Sequence, residues 1–168
     1  VRQLKDMGVT SVILTGDNPR TAAAIAGSLG MEFQANMMPE DKLKAIQGMS
    51  EQGGVMMIGD GINDSPALSA ADIGIAIHSG AAIAREIADV TIRADSLEEL
   101  VTLKAIANAL QKRVGSNYRF VLGFNSALIL LGALGILPPA TSAMLHNLST
   151  LGISLRSMTD LLEQKNEG

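Results

Sequence analysis

One ten-residue run, Gly59-Asp60-Gly61-Ile62-Asn63-Asp64-Ser65-Pro66-Ala67-Leu68, constrains this chain more than any other feature. It follows Val55-Met56-Met57-Ile58, a short apolar run that predicts a buried strand, and Gly-Asp-Gly after such a run predicts a tight turn. Asp60 and Asp64 then stand at the carboxyl end of a strand, where open α/β sheets bind ligands. Two carboxylates with Asn63 between them form a hard-oxygen set suited to Mg²⁺ beside a phosphate. A surface turn with incidental acids is the plainer reading of Asp-Gly alone, but two acids and an amide in one turn favour a site.

The first half of the chain alternates strand-like and helix-like segments. Residues 9–14 predict a strand, followed by an alanine-rich helix over about 19–29 with Asn18 as N-cap, Pro19 at its first position and Gly30 as its stop. A helix over about 39–52, a strand at 55–58, a helix from about Ser65, a strand at 73–77, a helix at 81–88 and a strand at 89–92 complete the pattern. This βαβ alternation predicts a Rossmann-like parallel sheet with helices on both faces. Ser96-Leu97-Glu98-Glu99 reads as a capping box opening a helix that runs towards Gly115.

The second half differs in composition. After Lys104, Lys112, Arg113 and Arg119, no charged side chain occurs until Arg156. Residues 120–137 are long enough for a membrane-crossing helix, Pro138-Pro139 breaks the run, and residues 140–155 form a second, more polar span. A transmembrane hairpin in contact with lipid is expected, although a buried hairpin of a soluble protein shares the pattern. The basic cluster places residues 1–119 on the cytoplasmic side, and two spans return the C-terminus there. The expected divisions are 1–95, a linking helix at 96–119, the hairpin at 120–162 and a tail at 163–168. The start at Val1, with no leader, reads as the interior of a longer protein, and the end as a solvated terminus.

Composition narrows the function classes. A net charge of −4 gives no electrostatic case for nucleic acid, and the absence of cysteine removes disulfides and thiolate metal sites. Of the nine methionines, Met31, Met37, Met38, Met49, Met56 and Met57 fall in the first half, mostly at positions that read as core. His78 has no His or Cys neighbour and reads as a loop residue.

Two further segments fit phosphate chemistry. Thr15-Gly16-Asp17 follows the strand at 9–14 and faces a helix N-terminus, where a hydroxyl, backbone N–H groups and the helix dipole favour an anion. Lys42, in Met38-Pro39-Glu40-Asp41-Lys42, lies in the first turn of its helix, a poor place for a cation unless it reaches an anion. An ordinary capped turn and a solvated surface lysine are the alternatives for each taken singly.

Together, Thr15-Gly16-Asp17, Pro39-x-x-Lys42 and the Asp60 run resemble the P-type ATPases, cation pumps of the haloacid dehalogenase superfamily. The extension Ser65-Pro66-Ala67-Leu68 favours the pumps over the superfamily's soluble phosphatases. The resemblance implies that Thr15 holds the phosphoryl group, Lys42 neutralises its oxygens, Asp60 ligates Mg²⁺, and Asn63 and Asp64 support metal and phosphate. Asp17 is assigned to nucleotide contact or hinge structure, with Gly16 in the same phosphate loop. The family's nucleophilic aspartate, in Asp-Lys-Thr-Gly, is absent; Asp6, Asp41, Asp72, Asp89 and Asp95 lie in no such motif. The resemblance thus implies the C-terminal part of a pump that uses ATP and Mg²⁺ with an upstream part of the same protein, inactive alone.

Leu145-His146-Asn147-Leu148-Ser149-Thr150 resembles the last membrane helix of the heavy-metal (P1B-type) members, and Asn125 matches an asparagine of the preceding helix. Asn125, His146, Ser149 and Thr150 become candidates for the path of a divalent transition metal such as zinc, manganese or cobalt, in a multi-pass protein of the cell membrane. Interhelical hydrogen bonds and an interfacial histidine explain the same residues without a metal. Ala82, Arg156 and Thr159 depart from the family pattern, which has Asp, Asn and Arg in those places. A soluble phosphatase fragment and a membrane-anchored binding module without turnover are the alternative functions.

Overall fold

The computed structural model describes residues 1–60, 62–77, 82–93 and 97–162. His78, Asp95, Ser96 of the expected capping box and the expected tail lie outside the described residues. The chain divides into two compact units, Val1–Thr102 and Leu103–Gly168.

In the first unit the elements alternate as α1 (Arg2–Asp6), β1 (Val12–Leu14), α2 (Pro19–Leu29), β2 (Glu32–Gln34), α3 (Pro39–Ser50), β3 (Met56–Gly59), α4 (Ser65–Ala70), β4 (Ile73–Ile77), α5 (Ala82–Ile87) and β5 (Val90–Ile92). Every strand pairing is parallel, as the alternation predicts, with β1 beside β2 and β3-β4-β5 in order. These are two sheets rather than the single one expected. Among the described residues β1 pairs with β2 alone, and β3 with β4 alone.

The ends of α2 follow the residues that predict them. Asn18 Oδ1 accepts from Thr21 N at 3.0 Å, Pro19 fills the first helical position, and Gly30 adopts φ +63°. The strand expected from residue 9 begins at Val12, because the amides of Met7, Gly8 and Val9 close α1 by donating to carbonyls of residues 3–5. Strand β2 escapes the pattern reading. It is three exposed residues, Glu-Phe-Gln, with too few apolar positions to show a period.

The core of this unit is small-residue packing. Ile46, Met57, Ala67, Leu68, Ala76 and Ala84 form one buried cluster, with Leu14 and Val55 packed on it. Alanines at 67, 76 and 84 let α4 and α5 approach β3 and β4 closely. A Cβ on Gly74 would stand 2.7 Å from the Leu68 carbonyl oxygen, so the close approach of α4 to β4 requires glycine there. Met57 is buried, but Met38 and Met56 are exposed, which corrects the core reading for those two methionines. The exposed side chains alternate with buried ones along β3, as a strand solvated on one face must.

Two carboxylates tie strand starts to their neighbours. Asp72 accepts from Val55 N at 2.8 Å and Ser50 Oγ at 3.3 Å, and Asp89 accepts from Gly74 N at 2.8 Å. Replacing Asp89 with alanine removes the acceptor of a part-buried amide, and a loss of about 1–3 kcal/mol is expected in urea titration. At the other end, the Arg93 backbone amide and then its guanidinium hold the Glu99 carboxyl below its usual range. A depressed carboxylate contributes stability above its unfolded pKa and loses it as pH falls through the folded value. This clamp therefore opens only on acidification below the ordinary Glu range.

Helix α6 (Glu98–Ala133) runs without a break through Gly115 and past the expected limit of the linking helix at residue 119. A lone glycine costs a helix about 1 kcal/mol and does not stop it when flanking residues remain good formers. The helix ends at Ala133, short of Leu137. Gly135, at φ +71°, donates to Gly132 O, and Ile136 N donates to Leu131 O, the paired bonds of a left-handed helix stop. Helix α7 (Pro139–Ser157) follows.

The two helices of the expected hairpin are observed, but among the described residues no helix is long and apolar enough to cross a membrane. The uncharged part of α6 from Phe120 to Ala133 is fourteen residues, about 21 Å at helical rise, against a hydrocarbon core of about 30 Å. In α7, His146, Asn147, Ser149, Thr150 and Arg156 dilute the apolar residues.

Hydrogen bonds join α6 and α7 at two levels. Near one end the Arg113 guanidinium donates to the carbonyls of Thr159 and Asp160, the latter at 2.7 Å, and Asn117 Nδ2 donates to Ser157 Oγ at 3.0 Å. Carbonyls just past a helix end lack helical partners, and a planar guanidinium can serve several at once. Arg113→Ala is expected to release this end by about 1–2 kcal/mol, read as roughly ten-fold faster amide exchange over residues 155–159, with Arg113→Lys intermediate. Thr159 Oγ1 also donates to Arg156 O at 2.8 Å, so two of the three residues that depart from the family pattern meet at the same helix end.

Candidate functional site

The site is built on strand ends. Thr15 follows β1, and Asp60 follows β3, so both occupy carboxyl ends of parallel strands, as the sequence predicts. A 3₁₀ turn, Ile62–Asp64, then carries Asn63 and Asp64 before α4 begins. Gly59 allows this fold-back: a Cβ there would stand 2.8 Å from Asp64 Cβ and 3.1 Å from its Oδ2. The glycine that reads as a turn residue is thus needed for side-chain clearance.

Lys42 meets Asp64 directly, Nζ to Oδ1 at 2.7 Å, with about 15% of each side chain exposed. Within the chain itself the partner of Lys42 is a carboxylate. Helix α3 tolerates the lysine because Glu40 and Asp41 share its first turn, and Asp41 Oδ2 accepts from Met38 N at 3.1 Å. Half-burial strengthens the pair relative to an exposed one, since less water screens it.

Thr15 and Asp17 form a separate local pair. The Thr15 hydroxyl donates to Asp17 Oδ2 at 3.0 Å and accepts from Asp17 N at 3.1 Å. Residues 34–37 fasten this loop: Thr15 N donates to Gln34 O, Met37 N to Thr15 O, and Asn36 N to Asp17 O. A Cβ on Gly16 would lie 3.3 Å from the Met37 carbonyl oxygen, so the two segments lie close there. Asn36 takes φ +54°, a conformation asparagine tolerates better than most residues. Sequence reading missed this supporting segment; Asn36, preceding a proline-led helix, is the signal that could have found it.

Asp60 and Asn63 are exposed. Among the described residues no three His, Cys, Asp or Glu gather as a metal cage. Mg²⁺ does not need one: it binds through one or two carboxylates together with phosphate oxygens and water. Asp60 and Asp64 fit that requirement in number and kind. Ser65 Oγ, beside Asp64, is buried without a hydrogen-bond partner among the described residues.

In the second unit the structure brings together two of the four expected residues. Asn125 Oδ1 and His146 Nδ1 are 2.9 Å apart. Ser149 and Thr150 instead direct their hydroxyl hydrogens to His146 O, at 2.7 and 3.0 Å, so they brace the helix backbone.

The fold has close counterparts among known proteins. A family model described as haloacid dehalogenase-like hydrolase matches residues 1–72. The zinc/cadmium/lead-transporting P-type ATPase of Escherichia coli is 44% identical over 136 residues, covering 81% of this chain and 19% of that protein. A manganese-exporting P-type ATPase of Mycobacterium leprae is 40% identical over 159 residues, 92% of this chain and 22% of its own. The crystal structure of a zinc-transporting PIB-type ATPase in the E2.Pi state superposes with a TM-score of 0.89 at 39% identity, covering 94% of this chain and 26% of that one. The chain spans about a fifth of the length of these curated relatives. The chain thus carries a haloacid dehalogenase-like hydrolase domain and closely matches heavy-metal P-type ATPases over most of its length.

Proposed function

We propose that this chain supplies part of the phosphorylation site, and two helices of the ion pathway, of an ATP-driven pump for a divalent transition metal. The observation that carries this reading is the Lys42–Asp64 pair at 2.7 Å beside the Asp60 strand end. Phosphoryl transfer depends on positioning and charge neutralisation, and this arrangement provides a cation and two carboxylates at one place. Thr15 would donate to a phosphoryl oxygen and Lys42 would neutralise one. Asp60 and Asp64 would hold Mg²⁺, which when bound supplies positive charge against the phosphate. Asp17 would fix the Thr15 hydroxyl, and Asn63 would extend the polar rim.

The nucleophile comes from elsewhere in this reading. The edges of β1 and β3 that are unpaired among the described residues suit a further parallel strand from the rest of the pump, which would bring its aspartate to the same carboxyl ends. Helices α6 and α7 take their place among the pump's other membrane helices. Leu130, Met144, Leu148, Leu151 and Leu155 are all more than half exposed, a surface that lipid or neighbouring helices would cover. The polar residues that lower the mean hydropathy of the hairpin are those that would face the ion path.

Zinc and manganese are the leading cargoes, since the relatives named above carry those metals in their names. The test uses radiolabelled ATP with Mg²⁺. The 168-residue chain alone should stay unlabelled, whereas a protein joining it to the remainder of the pump should form an acid-stable, hydroxylamine-labile phosphoenzyme. ATP hydrolysis by that protein should rise with zinc or manganese and not with copper(I). A joined protein that never labels, under any of these metals, would overturn the reading.

A further inference from the structure

The geometry points to Asn125 as a positioning residue that fixes the tautomer of His146, leaving Nε2 as the lone-pair atom offered to a divalent cation. This inference rests on the proposed ion pathway and specifies its chemistry. The side-chain oxygen of Asn125 faces His146 Nδ1 at 2.9 Å. An amide oxygen can only accept, so Nδ1 must carry the proton, and neutral imidazole then bears its lone pair on Nε2. Both side chains lie on the wall of an open groove of about 850 Å³ between α6 and α7. The rest of that wall is glycine, proline, alanine and aliphatic side chains, with Ser142 as its other polar side chain. The Nε2 atom is thus the one basic lone pair among the groove's described lining residues.

The arrangement follows the usual logic of metal-binding histidines. One ring nitrogen donates to a fixed acceptor, which sets the ring orientation and frees the other nitrogen for the metal. The two hydroxyls on the His146 carbonyl steady the same residue from its backbone side.

The test is nitrogen NMR on the full chain in detergent micelles, labelled at histidine, with His78→Gln leaving His146 as the single histidine. At neutral pH the two-bond couplings should identify the Nδ1–H form. Asn125→Asp should retain it, and Asn125→Leu should release it towards the Nε2–H form. A wild-type chain in the Nε2–H form would overturn the assignment, and so would an Asn125→Leu chain with unchanged couplings. Zinc titration of the same samples tests the underlying reading separately. Zinc should perturb the Nε2 resonance, with an affinity about 10- to 100-fold weaker in Asn125→Leu. A correct tautomer with no zinc response would remove His146 as a ligand.

Discussion

Lys42→Ala, made in a protein that joins this chain to the rest of the pump, is expected to slow phosphoenzyme formation about 10²- to 10³-fold, the usual cost of removing a group that stabilises developing charge. The expectation follows from where the lysine stands. Its ammonium is held 2.7 Å from Asp64 with little exposure on either side, so its position is fixed before any phosphate arrives. Alanine would remove the cation and leave Asp64 half-buried without its partner, next to a second carboxylate on Asp60. A phosphate approaching that site would meet two negative charges in place of a near-neutral pair. Lys42→Arg should recover part of the rate, because the charge returns with different geometry. Lys44 lies exposed on the same helix, and Lys44→Ala should change the rate by less than about two-fold. Rapid-quench measurement of the phosphoenzyme separates these outcomes. Equal losses at both lysines would show that the helix tolerates neither change and would defeat a specific role for Lys42.

Leu68→Ala is expected to destabilise the first unit by about 2–5 kcal/mol, a large fraction of the roughly 5–15 kcal/mol that holds a typical domain folded. Leu68 and Ile75 are the largest fully buried side chains among the described residues. Around Leu68 the neighbours are mostly alanine, and Gly74 already lies against its carbonyl. Small, backbone-close neighbours cannot swing in to fill a leucine-sized void, so the cost should fall in the upper part of the range. Urea denaturation followed by far-ultraviolet circular dichroism should show a lower midpoint with an unchanged slope. Ile25→Ala, at a side chain nearly half exposed on α2, should shift stability by about 0.5 kcal/mol or less. A Leu68→Ala chain within that same margin would mean that α4 packs far more loosely than its burial implies.

The placement of the candidate site residues was legible because it is local. The Asp60 run, Thr15-Gly16-Asp17 and Lys42 each announce themselves through residue types within a few positions, and the strand and helix punctuation around them places them at strand ends. The partner of Lys42 was not legible. Lys42 and Asp64 are 22 positions apart, and their meeting depends on how α3 packs against the turn before α4. The split into two sheets was hidden for the same reason, since pairing is a long-range property that alternation does not specify.

The hairpin shows the opposite case. Its absence of charge is plain in the sequence, but length and mean hydropathy depend on where each helix stops. Gly135 ends α6 four residues before the apolar run ends. That stop could have been read from Gly132, Gly135 and the prolines together. Instead the uncharged stretch was read as one continuous element. Missing β2 has a simpler cause: three residues carry no period.

Among the described residues β1 and β3 each have one unpaired edge, which bears on how this chain behaves in a test tube. A strand with one free ladder of amides and carbonyls is a template for any other extended chain, including a second copy of itself. Purified at high concentration, the first unit should form oligomers joined strand to strand, and a short synthetic peptide of matching β-propensity should suppress them by occupying the same ladders. Colloidal behaviour thereby becomes an inexpensive reporter of whether those edges are covered.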